Sequence, residues 1–261
     1  MAEIKDRILP VGIQSFEEIR KKGYLYVDKT DIIWQLANRG RKYNYLNRPR
    51  RFGKSVLVDT LQAYFEGRKE LFEGLKIMDL ETEWTKHPVI RLDMSRAGSS
   101  AHELNAYLNQ AFKEYEQKYN IETSPADSLP NRFDAIIQSA YQQTGQQVVV
   151  LVEGYDSPLL NSWNTPHHEE CVSIYLNVFT ILKADDEYEE FVLITGTTKF
   201  TKLSLFSGLN NLSNISFEPE YAAICGITKE ELQNDFKPEI EKLADYENWT
   251  FDEAVAQLQA Y

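Results

Sequence analysis

The sequence predicts an α/β fold: a mostly parallel sheet flanked by helices. Three observations point to it. Val148-Val149-Val150-Leu151-Val152 and Phe191-Val192-Leu193-Ile194 are unbroken apolar runs of strand length, the pattern of strands covered by helices on both faces. Stretches with apolar residues at helical spacing alternate with such runs, as the crossovers between parallel strands require. Finally, a short strand leads through Arg48-Pro49-Arg50-Arg51-Phe52-Gly53-Lys54-Ser55 into a helix, and a helix N-terminus reached in this way favours bound phosphate.

Taken in order, the chain starts with a short helix around Phe16–Lys22, a turn at Gly23 and the segment Tyr24-Leu25-Tyr26-Val27. A helix follows from near Asp31, with Thr30 or Asp31 as its N-cap. Tyr43-Asn44-Tyr45-Leu46 is a strand, and Val56, Leu57, Leu61, Tyr64 and Phe65 make Lys54–Glu66 an amphipathic helix. Pro88–Asp93 is the next strand, followed by helices near 100–119 and 132–144. Strand 148–152, a helix over 168–184 and strand 191–196 come next, and Ala222-Ala223-Ile224-Cys225 is expected as a last strand. Thr228-Lys229-Glu230-Glu231 is a capping box opening a further helix, and 251–261 reads as helical. The chain stops there without a helix terminator, which implies a region beyond it.

A chain of 261 residues that is 43% hydrophobic and 26% charged can bury a sizeable core. Its net charge of −12 argues against a broad nucleic-acid surface. Within this acidic chain Arg41, Lys42, Arg48, Arg50, Arg51 and Lys54 form a basic cluster, which suggests a specific anion, phosphate above all. Cys171 and Cys225 stand far apart, no apolar run approaches the about 18 residues of a membrane span, and the start lacks a hydrophobic signal core. A cytoplasmic protein is expected.

Gly53-Lys54-Ser55 carries the chemistry of a phosphate loop. Backbone N–H groups wrap the phosphates, Lys54 neutralises the β/γ charge, and the Ser55 hydroxyl serves Mg²⁺. The usual leading glycine of the loop is here Arg48. At the end of the buried strand 148–152, Glu153 stands where such proteins hold a metal-side acid. The second acid expected beside it, which polarises the attacking water, is replaced by Gly154, and Asp156 lies two residues on. At the tip of the strand ending in Thr195-Gly196-Thr197-Thr198, Thr195, Thr197 and Thr198 are candidates to sense the γ-phosphate. His167-His168-Glu169-Glu170-Cys171 reads as a solvated helix start, since adjacent helical residues point apart and no matching ligand group exists elsewhere.

With these segments placed, the chain resembles the AAA-ATPase-like family typical of gut and anaerobic bacteria. The resemblance rests on 9–16 (LPVGIQSF), 24–30 (YLYVDKT), 48–55 (RPRRFGKS), 195–200 (TGTTKF), 206–212 (FSGLNNL) and 225–228 (CGIT). It implies a phosphate-loop NTPase core of the AAA/ASCE type that binds ATP and Mg²⁺, with Arg48 a family trait. The nucleotide contacts it implies are Arg48, Pro49, Arg50, Arg51, Phe52, Gly53, Lys54, Ser55 and Val56, with Tyr26 and Asp28 near the base. Ser55 and Glu153 would serve the metal, and Glu153, Asp156 and Thr195 the chemistry. Members often continue into a restriction-endonuclease-like domain, so no nuclease chemistry is assigned to this chain.

One departure stands out. The family reads Val-Asp-Glu-Tyr-Asp where this chain has Val152-Glu153-Gly154-Tyr155-Asp156. Loss of the water-activating acid implies hydrolysis slowed by roughly 10²–10⁴, and Gly154→Glu is expected to restore turnover in an intact site. The expected organisation is an N-terminal segment, 1–40, packed near the nucleotide, a core over 41–226, and the start of a helical lid over 227–261. The expected function is ATP binding with weak turnover. The alternative is a nucleotide-gated module that binds a protein partner or a second copy without turnover.

Overall fold

The computed structural model describes residues 7–124, 127–198 and 212–259. Five strands form one parallel sheet: β1 Tyr43–Asn47, β2 Val89–Asp93, β3 Val148–Glu153, β4 Glu189–Gly196 and β5 Ser213–Asn214, in the order β2-β3-β4-β1-β5. Placing β4 between β1 and β3 brings the carboxyl ends of those three strands side by side. Asn47 lies opposite Gly196 and Asp93 opposite Glu153. An open α/β sheet binds ligands at this end.

Alternation along the strands feeds two cores. Ile90, Leu92, Val148, Val150, Val152, Val192 and Ile194 face one side. There they meet α4 Ala101–Lys118, α5 Leu129–Thr144 and α7 His168–Phe179. Leu46, Val149, Leu151 and Leu193 face the other, against α1 Phe16–Lys22, α2 Thr30–Asn38 and α3 Lys54–Phe65. With both faces covered, β3 has to be apolar throughout, which is why its sequence does not alternate. The turn after β3 leads into the short α6 Ser157–Asn161, and α8 Ile181–Ala184 follows α7. A small third cluster holds α9 Lys229–Asp235, α10 Lys237–Glu247 and α11 Phe251–Gln259 together through Phe236, Ile240, Ala244, Phe251, Ala254 and Val255. Among the described residues no helix is long and apolar enough to cross a membrane.

Several sequence expectations need correction. The segment 222–225 is not a strand; after Pro219, which has no N–H to give, Tyr221, Ala222 and Ile224 each donate three residues back in tight turns. The fifth strand lies earlier, at Ser213–Asn214. Thr180 interrupts the expected helix 168–184, its hydroxyl donating to Asn177 O at 3.0 Å. The cap of α2 is neither Thr30 nor Asp31: Asp28 Oδ1 accepts from Thr30 N at 2.9 Å and from the Thr30 hydroxyl at 2.7 Å. Arg41 and Lys42 precede β1, at the opposite end of the sheet from the loop. Arg41 donates to Glu218 and Ser213, and Lys42 to Asp186 O. The basic cluster read from the sequence is thus divided by the length of a strand.

Candidate functional site

The loop between β1 and α3 turns on two left-handed residues, Arg51 at φ 66° and Gly53 at φ 85°. Gly53 is the N-cap of α3 and has no side chain to cap it, so the first N–H groups of the helix are left to an anion. The Lys54 ammonium folds back over the loop and donates to Arg48 O at 2.9 Å and Pro49 O at 2.8 Å. Burial holds it below the ordinary lysine range. Arg50 and Arg51 are exposed. Arg48 is turned away from the loop and donates to Ser216 O at 2.8 Å and Tyr221 O at 3.0 Å, which ties the loop to the chain after β5.

Ser55, one residue into α3, donates to Glu153 Oε1. The other Glu153 oxygen accepts from Arg91 Nη2 at 3.0 Å, and Arg91 Nη1 reaches Asp59 Oδ1 at 2.7 Å and Gln62 Oε1 at 3.1 Å. Asp59 Oδ2 accepts from Phe16 N at 2.6 Å. A continuous chain of charged contacts therefore runs from the loop serine through β3, β2 and α3 to the start of α1. Nothing in the reading of the sequence singled out Arg91 or Asp59. The available signal was a lone cation inside an otherwise apolar strand, Val89-Ile90-Arg91-Leu92.

Asp156 does different work. It is 1% exposed, and its Oδ2 accepts from Thr197 N, Thr198 N and the Thr198 hydroxyl, each at 2.8 Å. Through Oδ2 it locks the tip of β4. Thr195 is fully buried, with its hydroxyl 3.5 Å from Val152 O. Lys199, Phe200 and 206–211 of the family motifs lie outside the described residues. Asp28 is spent on α2 and on Lys76 N, from which it accepts at 2.8 Å, and the hydroxyl of the half-buried Tyr26 is 3.4 Å from Thr60 Oγ1.

Beside the loop lies an apolar cavity of about 360 Å³, with Tyr26, Ile33, Phe52, Val56, Ile224 and Phe236 among its walls. Gly226 closes one side: a side chain there would meet the Phe52 ring at 3.1 Å, and Gly226 N donates to Phe52 O at 2.9 Å. Lys29, another of its lining residues and itself 8% exposed, pairs with Glu231 of α9 at 2.6 Å.

Ser55 and Glu153 offer a hydroxyl and a carboxylate in contact, an all-oxygen donor set that suits Mg²⁺, which takes one or two carboxylates and completes its shell with phosphate and water. Among the described residues no three His, Cys, Asp or Glu side chains gather into a metal site, so an all-protein cage for a metal is not built here.

Residues 10–206 match the family described as Predicted AAA-ATPase. The chain is also 38% identical over 236 residues to an uncharacterized protein in the vnfD 5'region of Azotobacter chroococcum mcd 1. That similarity covers 89% of this chain and 45% of the relative, so the chain spans less than half the relative's length. The parallel sheet, the loop from β1 into α3 and the extent of the match together establish that the chain belongs to the AAA-ATPase-like family.

Proposed function

We propose that the chain binds ATP with Mg²⁺ at the Arg48–Ser55 loop and hydrolyses it slowly. The observation that carries this reading is the meeting of Ser55 with Glu153 at the carboxyl end of the sheet, directly beneath a helix N-terminus with free N–H groups. Bound there, Mg²⁺ would neutralise charge on the β- and γ-phosphate oxygens. Among the described residues Lys54 holds two loop carbonyls and can exchange them for phosphate oxygens. The exposed Arg50 and Arg51 add positive charge at the loop. Arg91 keeps Glu153 aimed at Ser55. The apolar cavity beside the loop takes the base, and its volume of about 360 Å³ suits a purine with its ribose. The preference for adenine rests on the family. Slow turnover follows from Gly154, which leaves the usual position beside Glu153 without a carboxylate.

The test is calorimetric titration of the protein with ATP, with and without Mg²⁺. Binding that strengthens with Mg²⁺ and is lost in Lys54→Ala is the expected result, with phosphate release well below the ordinary enzyme rate of about 1 s⁻¹. Titration heats that are the same in Lys54→Ala and the parent would sink the reading.

A specific observation also favours a gating role. The Lys29–Glu231 pair at 2.6 Å and the Arg7–Glu239 pair at 2.7 Å join the N-terminal segment to α9 and α10. Helices α9–α11 then act as a lid whose position reports the nucleotide to a protein partner or a second copy. The two cysteines are buried and unpaired, in keeping with a reducing cytoplasm.

A further inference from the structure

We infer that Asp93, at the carboxyl end of the edge strand β2, is the carboxylate that takes the proton from the attacking water, in the role that Gly154 cannot fill. The inference rests on the ATPase reading above. Asp93 lies in register with Glu153 on the neighbouring strand, and lateral neighbours in a sheet project to the same face, with strands about 4.8 Å apart. Arg91, two residues earlier on β2, fixes which face this is, because it reaches Asp59 and Gln62 of α3. Asp93 and Glu153 therefore stand side by side on the α3 face, the face that presents Ser55.

The geometry at Gly154 disfavours a side chain in the usual position. Its φ is 62°, and an added Cβ would meet Ser157 Oγ at 3.3 Å and Ser95 N at 3.4 Å. The crowding residue Ser95 is the one that Asp93 holds: Asp93 Oδ1 accepts from Ser95 N at 3.2 Å and from Ser95 Oγ at 2.5 Å. These bonds fix the carboxylate and leave Oδ2 with no partner among the described residues. Asp93 lines a polar cavity of about 440 Å³ together with Gln62, Arg91, Arg96 and Tyr107.

The step balances with solvent water as nucleophile. The water oxygen bonds to the γ-phosphorus, the bond from that phosphorus to the β–γ bridging oxygen breaks, and ADP leaves with the electron pair. The water proton passes to Asp93 Oδ2 and from there to solvent.

Asp93 also caps the turn Met94–Arg96, and Asp93→Asn separates the two roles, because an amide oxygen caps as well as a carboxylate but takes no proton. The full chain is assayed for ATP affinity by calorimetry in Mg²⁺, for thermal midpoint, and for steady-state phosphate release. Asp93→Asn is expected to keep the parent's ATP Kd within about twofold and its thermal midpoint, while phosphate release falls by roughly 10²–10⁴. Turnover of Asp93→Ala is expected to recover in added formate, a response that loss of a cap alone does not give. A D93N variant turning over at the parent rate, a D93A variant deaf to formate, or a parent that binds ATP and releases no phosphate overturns the role of Asp93 and leaves ATP binding standing. A parent that binds no ATP overturns both.

Discussion

Replacing Glu189 with Gln should stabilise the protein at pH 8 and flatten its dependence on pH. Glu189 begins β4 at the amino end of the sheet, is 0% exposed, and has neither carboxylate oxygen hydrogen-bonded among the described residues. The Tyr43 hydroxyl beside it donates instead to Leu182 O at 2.7 Å and Asp186 Oδ1 at 2.9 Å. Burial, reinforced by the charge of Asp185, pushes the Glu189 carboxyl from its ordinary 4.5 up to about 8. The folded chain thus keeps a proton that the unfolded chain releases near pH 4.5. This contribution to stability is fully present below that pH, is lost progressively as pH rises toward 8, and is level above it. The rise to about 8 corresponds to on the order of 5 kcal/mol over that window. Asp185, pushed up to about 7 by burial and then by Asp134, acts in the same direction. Gln has the same shape and no proton to lose, so urea unfolding from pH 5 to pH 9 should show parent and E189Q close together at pH 5 and several kcal/mol apart at pH 8. Because the cluster lies at the opposite end of the sheet from the loop, ATP affinity should not change. Parallel stability curves for the two proteins would refute a buried, protonated Glu189.

Three further substitutions probe the site. Asp156→Ala strips three hydrogen bonds from the β4 tip and leaves two N–H groups unmet, so urea unfolding should show a loss of about 3 kcal/mol, and Asp156→Asn a smaller one. Gly196→Ala drives a Cβ to 2.6 Å from the Tyr155 ring and 2.7 Å from Asp156 Oδ1, and the ring is held by its hydroxyl on Thr198 O at 2.8 Å. Overpacking of this kind costs about 1–3 kcal/mol, read as a lower denaturation midpoint. Lys29→Ala breaks the pair with Glu231, whose members are 10% and 20% exposed. It should cost about 1–3 kcal/mol in chemical unfolding.

The parts of the fold legible in the sequence are those fixed by burial on both sides. β3 and β4 could be placed because covering helices leave no room for polar residues along them, and α3 because its apolar spacing begins at the loop itself. β5 was not legible. Two residues, Ser213 and Asn214, carry no periodicity, and they pair because β1 offers a free edge. The apolar run 222–225 drew the strand assignment instead, and only Ile224 and Cys225 of it are buried, in a turn whose next residue, Gly226, packs against Phe52 of the loop. α10 begins Lys237-Pro238 after the end of α9, and a proline at the start of a helix reads equally as the end of the one before.

The site divides in the same way. Residue types at the loop and the strand ends announced themselves, since the proposed phosphate chemistry calls for a lysine, a hydroxyl and an acid where Lys54, Ser55 and Glu153 stand. Which oxygens remain open to a ligand is decided by contacts distant in sequence. Asp28 and Asp156 carry the same group as Glu153, yet backbone N–H groups and hydroxyls of their own surroundings engage both. Glu153 is shared between Ser55 and Arg91, two side chains that a metal ion can displace or exploit. Gly154 illustrates the converse. As a letter it is a missing acid, whereas in the fold its left-handed backbone and the closeness of Ser95 leave little room for one. Gly154→Glu must therefore strain the turn by about 1–2 kcal/mol before any gain in turnover can register. An acid on the neighbouring strand reaches the same face without that strain, because the parallel register of β2 and β3 sets Asp93 beside Glu153 whatever residue follows it.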